Sequence, residues 1–299
     1  MRKNIQFLAA VAALMFVAIL PTATRAAGSV SAEELDITYV ARLGFVPIGR
    51  GEFSANYSRE SYTAQMHLRS AGILRWLVRS TFDTYTEGML VDQLPQPDYY
   101  ISDFEGRGNL YQLVHIVYDG AMPTLQRADP TYDTHLSGYP VSVEQRRGSY
   151  DPLTAFISVL WGIQFSEEEP CGDSVPVFDG RRRYDLRFSY EGRGALQVSE
   201  GDKWNGEVTI CSLLYDEVAG FRPTPEDDEL PRPPLLIYIA RFDESEFHIP
   251  VRVRATTPFG PLFLIARDVL MNSEPMLITP AEGLERLPEE QADYDPLGN

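Results

Sequence analysis

The sequence predicts a mainly β fold: a single curved antiparallel sheet, open barrel or β-spiral, with one amphipathic helix at about 151–162. Three observations predict it. Apolar residues recur with a period of two along most of the chain, as in strands with one face buried. Gly, Pro, Asn and Asp punctuate those segments at short intervals, as turns require. Nowhere do strand and helix patterns alternate as β–α–β units do.

The chain opens on a leader. Arg2 and Lys3 precede an apolar run from Phe7 to Leu20, and Pro21 and the small-residue stretch to Ala27 follow. A charged start, an apolar centre and a small-residue cleavage site make a secretory signal peptide. Its apolar run is shorter than the roughly 20 residues a spanning helix needs. The expected organisation is a signal peptide over 1–27, a single β-rich domain over 28–280 and an acidic disordered tail over 281–299. Cleavage near Ala26 or Ala27 places the mature chain in the periplasm.

Ile37, Tyr39, Ala41 and Leu43 share one face of the first strand. Pro47, Gly49 and Gly51 mark a turn, and Glu52 to Tyr57 returns as a hairpin. Tyr62, Ala64, Met66 and Leu68 line one side of a third strand. Leu74 to Thr86 is rich in β-branched and aromatic residues, a strand or a pair of strands. Tyr99 to Phe104 and Gly108 to Tyr118 continue the pattern, and the latter reads as covered on both faces. Pro, Gly and Asp from Gly120 to Pro140 predict an irregular loop.

The helix breaks this rhythm. Asp151 is a good N-cap, Pro152 suits the first helical position and Gly162 suits the stop. Leu153, Phe156, Ile157, Leu160 and Trp161 form one apolar stripe. The helix either plugs the mouth of the curved sheet or packs on it to fill the core. Strands then resume at Val175–Phe178, at Arg181–Tyr190 after an Asp179-Gly180 turn, and at Ala195–Glu200, Gly206–Tyr215, Leu235–Phe242, Phe247–Ala255 and Leu262–Ala266.

Cys171 and Cys211 are the only cysteines. In an oxidising compartment an isolated pair forms a disulfide rather than two free thiols. Zinc needs further ligands, and His67, His115, His135 and His248 show no paired spacing, so no metal or cofactor is expected.

The formal charge is −17, and loss of Arg2, Lys3 and Arg25 with the leader takes it to about −20. Such a charge disfavours polyanions such as nucleic acid and anionic membrane surfaces. No Gly-x-Ser-x-Gly elbow, His-Glu-x-x-His, P-loop or dinucleotide-binding fingerprint is present. Acidic pairs such as Asp83 with Glu87 abound, but with 43 acidic residues they arise by chance. The chain therefore reads as non-catalytic.

The densest polar cluster runs from Asp179 to Phe188. Alternation puts Arg182, Tyr184, Leu186 and Phe188 on one face. If that face is inward, Arg182 needs a carboxylate, with Asp151 or Asp179 as partner, because a buried unpaired cation costs several kcal/mol. The alternatives are an anion site and a salt-bridged hairpin. Arg182, Tyr184, Asp151, Asp179 and Trp161 are the candidate ligand contacts. Aromatic residues can line a sugar- or lipid-binding concavity, but they also fill β cores.

Tyr39-x-x-x-Leu43 followed by Pro47-x-Gly49-x-Gly51, the Gly72 region, Asp151-Pro152-Leu153-Thr154-Ala155 and Val177 through Asp185 together resemble a family of periplasmic bacterial proteins known only as domain of unknown function 3108. The resemblance runs from about Leu35 to Ala266. It implies a mainly β periplasmic domain and no established reaction. At fold level the chain is also similar to disulfide-containing envelope-integrity proteins built as a β-spiral. Three functions follow as expectations. The first is an exported, non-catalytic β scaffold that binds an envelope partner or cell-wall component and supports envelope integrity. The second is a periplasmic binder or carrier of a lipid or other apolar ligand, and the third a carboxylate-dependent hydrolase of envelope polymers.

Overall fold

A computed structural model describes residues 33–72, 79–108, 110–131, 140–163, 165–166, 168–196, 206–222, 233–242 and 247–276. The leader, the tail, His135 and the first part of the Leu74–Thr86 segment lie outside the described residues.

Fourteen strands form one antiparallel sheet. They are β1 (Glu33–Leu43), β2 (Val46–Tyr57), β3 (Ser61–Ser70), β4 (Thr81–Val91), β5 (Leu94–Gly106), β6 (Leu110–Asp119), β7 (Met122–Asp129), β8 (Ser174–Phe178), β9 (Arg183–Leu196), β10 (Gly206–Ala219), β11 (Leu235–Arg241), β12 (His248–Thr257), β13 (Gly260–Met271) and β14 (Glu274–Pro275). The order across the sheet is β7-β6-β5-β4-β3-β2-β1-β13-β12-β11-β10-β9-β8, with β14 added to β13. Two meanders are thus joined where β1 meets β13. The sheet is nearly closed into a barrel, and its seam, between β7 and β8, is unsealed.

Short segments bridge that seam. Tyr150 pairs in parallel with Val177 of β8, and the Gly148 N–H donates to the Ala121 carbonyl in the β6–β7 turn at 2.7 Å. Gly180, at φ +90°, packs so closely that an added Cβ would lie 2.3 Å from Val114 Cγ1 on β6. A side chain there would push the two edges apart.

Inward-facing residues stack in layers along the cross-strand registers. Leu35, Ala55, Ala64, Thr86 and Tyr100 form one layer, and Ile37, Phe53, Met66, Thr84 and Ser102 the next. The period of two read from β1 and β3 therefore sets the core face, since one face of each strand must leave water.

Two helices accompany the sheet. The first, α1 (Val143–Arg146), is a single turn closed by a capping box between Ser142 and Gln145. The second, α2 (Pro152–Leu160), is the predicted helix. Seven of its residues are buried, including Ala155, Ser158 and Val159 off the predicted stripe. It packs against β3, β4, β5, β8 and β12. Leu153, Ile157 and Leu160 join the main core, while Ala155 and Val159 join a second cluster with Val175, Val177, Phe188, Ile237 and Ile239. The helix thus lies within the curl of the sheet and fills it. Cys171 and Cys211 form a disulfide in that second cluster, with their Cα atoms 5.9 Å apart.

Three sequence expectations change. β7 occupies part of the predicted irregular loop from Gly120 to Pro140: Pro123 sits on an edge strand, where a missing N–H costs no ladder bond. Pro47, Gly49 and Gly51 lie inside β2, because Gly44 and Phe45 make the turn. The segment from Ala195 continues β9 rather than starting a new strand.

Candidate functional site

The floor of the interior is built around Asp151. Its extended backbone (φ −71°, ψ 162°) and short carboxylate make it the N-cap of α2. Asp151 Oδ1 accepts from the backbone N–H groups of Leu153 (3.1 Å) and Thr154 (2.9 Å). Oδ2 accepts from Thr154 Oγ1 at 2.7 Å, and the hydroxyls of Thr86 and Tyr118 stand at 3.4 and 3.5 Å. The Tyr62 hydroxyl lies 3.1 Å from Thr154 Oγ1. Among the described residues no cation pairs with this carboxylate.

Burial pushes the Asp151 carboxyl from its ordinary 3.8 up to about 6, against the opposing pull of the donors from Thr154 and Leu153. Burial, followed by the Asp151 charge, also raises the phenols of Tyr62, Tyr100 and Tyr118. The folded protein therefore prefers the protonated acid. Its contribution to stability is full below the ordinary aspartate range and falls as pH rises towards 6. The change from 3.8 to about 6 corresponds to roughly 3 kcal/mol. Asp151→Asn keeps an N-cap acceptor and does not titrate. Urea unfolding between pH 4 and 7 is expected to show wild type losing up to about 3 kcal/mol relative to this variant. A difference independent of pH refutes this account of Asp151.

Next to this floor lies an apolar cavity of about 550 Å³. Its wall is the layer Phe104, Phe82, Leu68, Gly51 and Tyr39, which are successive cross-strand partners. Ala41, Leu264 and Val253 continue the wall and Phe156 of α2 contributes from below. The Tyr39 hydroxyl donates to the Pro250 carbonyl at 3.1 Å, so its polar end is spent on the backbone. The void exists because β1 and β2 offer Ala41, Gly49 and Gly51 at this level. Gly51 itself cannot be enlarged freely: a Cβ there would lie 2.8 Å from Leu68 Cδ2. Arg50, Arg69, Ser70 and Ser80 stand around the cavity. At the other end of the strands a larger open cleft of about 1530 Å³ is lined by Tyr57, Leu90, Trp161, Phe247 and Met271, among others.

The candidate contacts do not gather in one place. Asp179 and Arg182 belong to a four-residue turn in which Asp179 Oδ1 accepts from the N–H groups of Arg181 (2.8 Å) and Arg182 (2.7 Å). That turn is longer than a two-residue Asp-Gly hairpin, so Arg182 belongs to the turn and not to β9, while Tyr184, Leu186 and Phe188 keep their shared face against the second cluster. Arg182 is exposed, its guanidinium over the Phe221 ring at 5.5 Å, and so needs no inward carboxylate. Arg183 is the buried cation instead, donating to the Tyr184 carbonyl (2.6 Å) and to Asp185 (2.7 Å). Tyr184 stacks on Tyr215, and its phenol is raised by burial and then by Asp179. Trp161 sits at the open cleft, edge-on to Tyr57 and Tyr62. The cavity wall was half visible in the sequence, as the Tyr62–Leu68 alternation. That the layer is underfilled was not.

Among the described residues no three His, Cys, Asp or Glu side chains converge as metal ligands. His67 instead contacts Asp83, at 2.5 Å, and His115 packs against Tyr99. No helix among the described residues is long and apolar enough to cross a membrane.

Comparison with known proteins gives a family. Residues 36–267 match the family described as protein of unknown function, DUF3108. No curated protein matches the chain. Among solved structures the chain is similar to a β-barrel-like protein of the domain of unknown function DUF1849 from Brucella abortus. The identity is 10% and the TM-score 0.46, over 80% of this chain and 97% of that one.

Proposed function

The chain belongs to the DUF3108 family of proteins of unknown function, and on that premise we propose that it is an exported, non-catalytic binder of an apolar ligand such as a lipid acyl chain. The observation that carries this reading is the apolar cavity beside α2. Its volume falls within the range of small-molecule sites, and its wall is the mostly apolar kind that such ligands fill. Export is supported by the leader over 1–27 and by a disulfide, a bond that persists in oxidising compartments.

Solvent extraction of the purified protein followed by mass spectrometry is expected to release a lipid or fatty acid. An environment-sensitive apolar dye is expected to bind and to be displaced by that lipid. Ala41→Trp fills the cavity and should weaken dye binding about tenfold or more while leaving the melting temperature nearly unchanged. In an already filled core the same substitution costs about 1–3 kcal/mol through overpacking. Wild-type protein that yields no lipid and binds no dye overturns the proposal.

The scaffold reading shares the premise of export. In its favour, no strand among the described residues pairs the outer edge of β7, the position at which an envelope partner's strand would add.

A further inference from the structure

The two most exposed large apolar side chains of the described residues are Phe45 and Phe259, at 82% and 84% exposure. They sit on adjacent turns. Phe45 lies between β1 and β2, Phe259 between β12 and β13, and the Gly44 N–H donates to the Pro261 carbonyl at 2.8 Å, tying the turns together. Leaving two phenylalanines in water at one end of a barrel is costly unless something apolar receives them. Both turns stand at the cavity end of the strands: Ala41, Ile48 and Leu264 of the cavity wall lie within five residues of one or other turn.

The charge around these turns is opposite to that of the whole chain. Residues 41–51, 68–72, 79–82 and 251–263 carry Arg42, Arg50, Arg69, Arg79, Arg252 and Arg254 and not one Asp or Glu. The registers set these arginines in rows. Arg252, Ile265, Val40, Arg50 and Arg69 are successive cross-strand partners, as are Arg254, Phe263 and Arg42. Alternation places these rows on the face opposite Ala41, Leu264 and Val253, that is, outside the cavity. Arg50 and Arg69 face each other directly, which costs stability unless an anion lies between them. Among the described residues they share the carboxylate of Glu52, at 3.1 and 3.4 Å. The opposite end of the strands carries Glu33, Glu60, Asp92, Asp119 and Glu274. The basic character is local to the strands that carry these two turns, and screening over about 8 Å at physiological salt lets that patch act apart from more distant acids.

We propose that the Phe45 and Phe259 turns, with the arginine rows behind them, dock on a bilayer surface bearing anionic headgroups, so that the cavity end faces the lipid. The rings would enter the headgroup–acyl boundary, the placement that apolar groups on interfacial proteins adopt. The nearest arginines are about three to five residues from the tips, roughly 10–16 Å at strand rise, which is headgroup distance. Arginine stems can lie along the apolar zone while the guanidinium reaches phosphate. The docking surface stands on turn geometry and charge. It rests on the ligand-binding reading only for its consequence, that an acyl chain exchanges between bilayer and cavity.

The test is co-sedimentation of the purified protein with vesicles of phosphatidylcholine alone or with 30% phosphatidylglycerol. Wild type is expected to pellet with the anionic vesicles, more weakly with the neutral ones, and to be released by high salt. Phe45→Ser/Phe259→Ser is expected to weaken binding about tenfold or more. Arg50→Gln/Arg69→Gln should remove the anionic preference, at about fivefold in partition per arginine. All variants should keep the wild-type melting temperature, since these side chains are exposed, and the double-Phe variant, whose residues lie outside the cavity wall, should also keep wild-type dye binding. Wild type that stays in the supernatant with anionic vesicles, or a double-Phe variant that pellets as wild type does, overturns the docking proposal. Dye binding, measured on the same samples, reports on the cavity separately.

Discussion

Cys171→Ala is expected to destabilise the protein by about 4 kcal/mol. The bridge closes a loop of 40 residues, and the entropy removed from the unfolded chain by a loop of that length gives this figure. For a domain of this size it corresponds to a fall of roughly 10 °C in melting temperature. Alanine is the right replacement, because the site is an apolar cluster in which a serine hydroxyl would add a second cost. Cys171 and Cys211 are 1% and 0% exposed. Reductant added to the folded protein should therefore act slowly, and equally only after unfolding. Wild type unfolded and refolded with dithiothreitol should melt with the variant, and wild type refolded without it should melt higher. Equal melting temperatures for all three would show that the bridge contributes nothing.

Asp151→Ala is expected to cost about 2–5 kcal/mol at pH 5. Loss of an N-cap acceptor accounts for about 1–2 kcal/mol. The N–H groups of Leu153 and Thr154 then remain buried without an acceptor, adding about 1–3 kcal/mol. At pH 7.5 the cost should shrink, because wild type there carries the disfavoured charge and the variant does not. Asp151→Asn, which keeps an acceptor, should lose much less at pH 5. Urea midpoints for the three proteins decide the matter: alanine and asparagine variants of equal stability at pH 5 would rule out the cap as the source. Because α2 is packed on five strands, its loosening should also reduce dye binding in the cavity, to which Phe156 contributes.

Much of this fold was legible in the sequence because its signals are local. The face of β1 follows from Ile37, Tyr39 and Ala41, and that of β3 from Tyr62 through Leu68. The start and stop of α2 follow from Asp151, Pro152 and Gly162, since N-caps, first-turn prolines and left-handed stops are satisfied within a few residues. Gly162 indeed has φ +59°. The cysteine pair required only a count and a compartment.

Where the sequence misled, a distant or neighbouring element had overridden the local signal. β7 reads as loop because Gly120 and Pro130 flank it and Pro123 lies within it, yet β6 supplies a ladder that tolerates a proline at an edge. Arg182 reads as inward on alternation alone; Asp179 capping two backbone N–H groups makes the turn four residues long and holds Arg182 in it, ahead of the strand.

The sequence by itself determined the β character, the buried faces, the helix stripe and the bridge, each written in residue spacing or type. Only the tertiary structure decided three things. It seated α2 inside the curl of the sheet, left the Ala41–Gly49–Gly51 level underfilled beside Leu68 and Phe82, and gathered Phe45, Phe259 and the arginines at one end. Each depends on which strands become neighbours, above all the pairing of β1 with β13 across more than 200 residues. Periodicity along the chain is indifferent to that choice, because it fixes which face of a strand is buried but not what stands across from it.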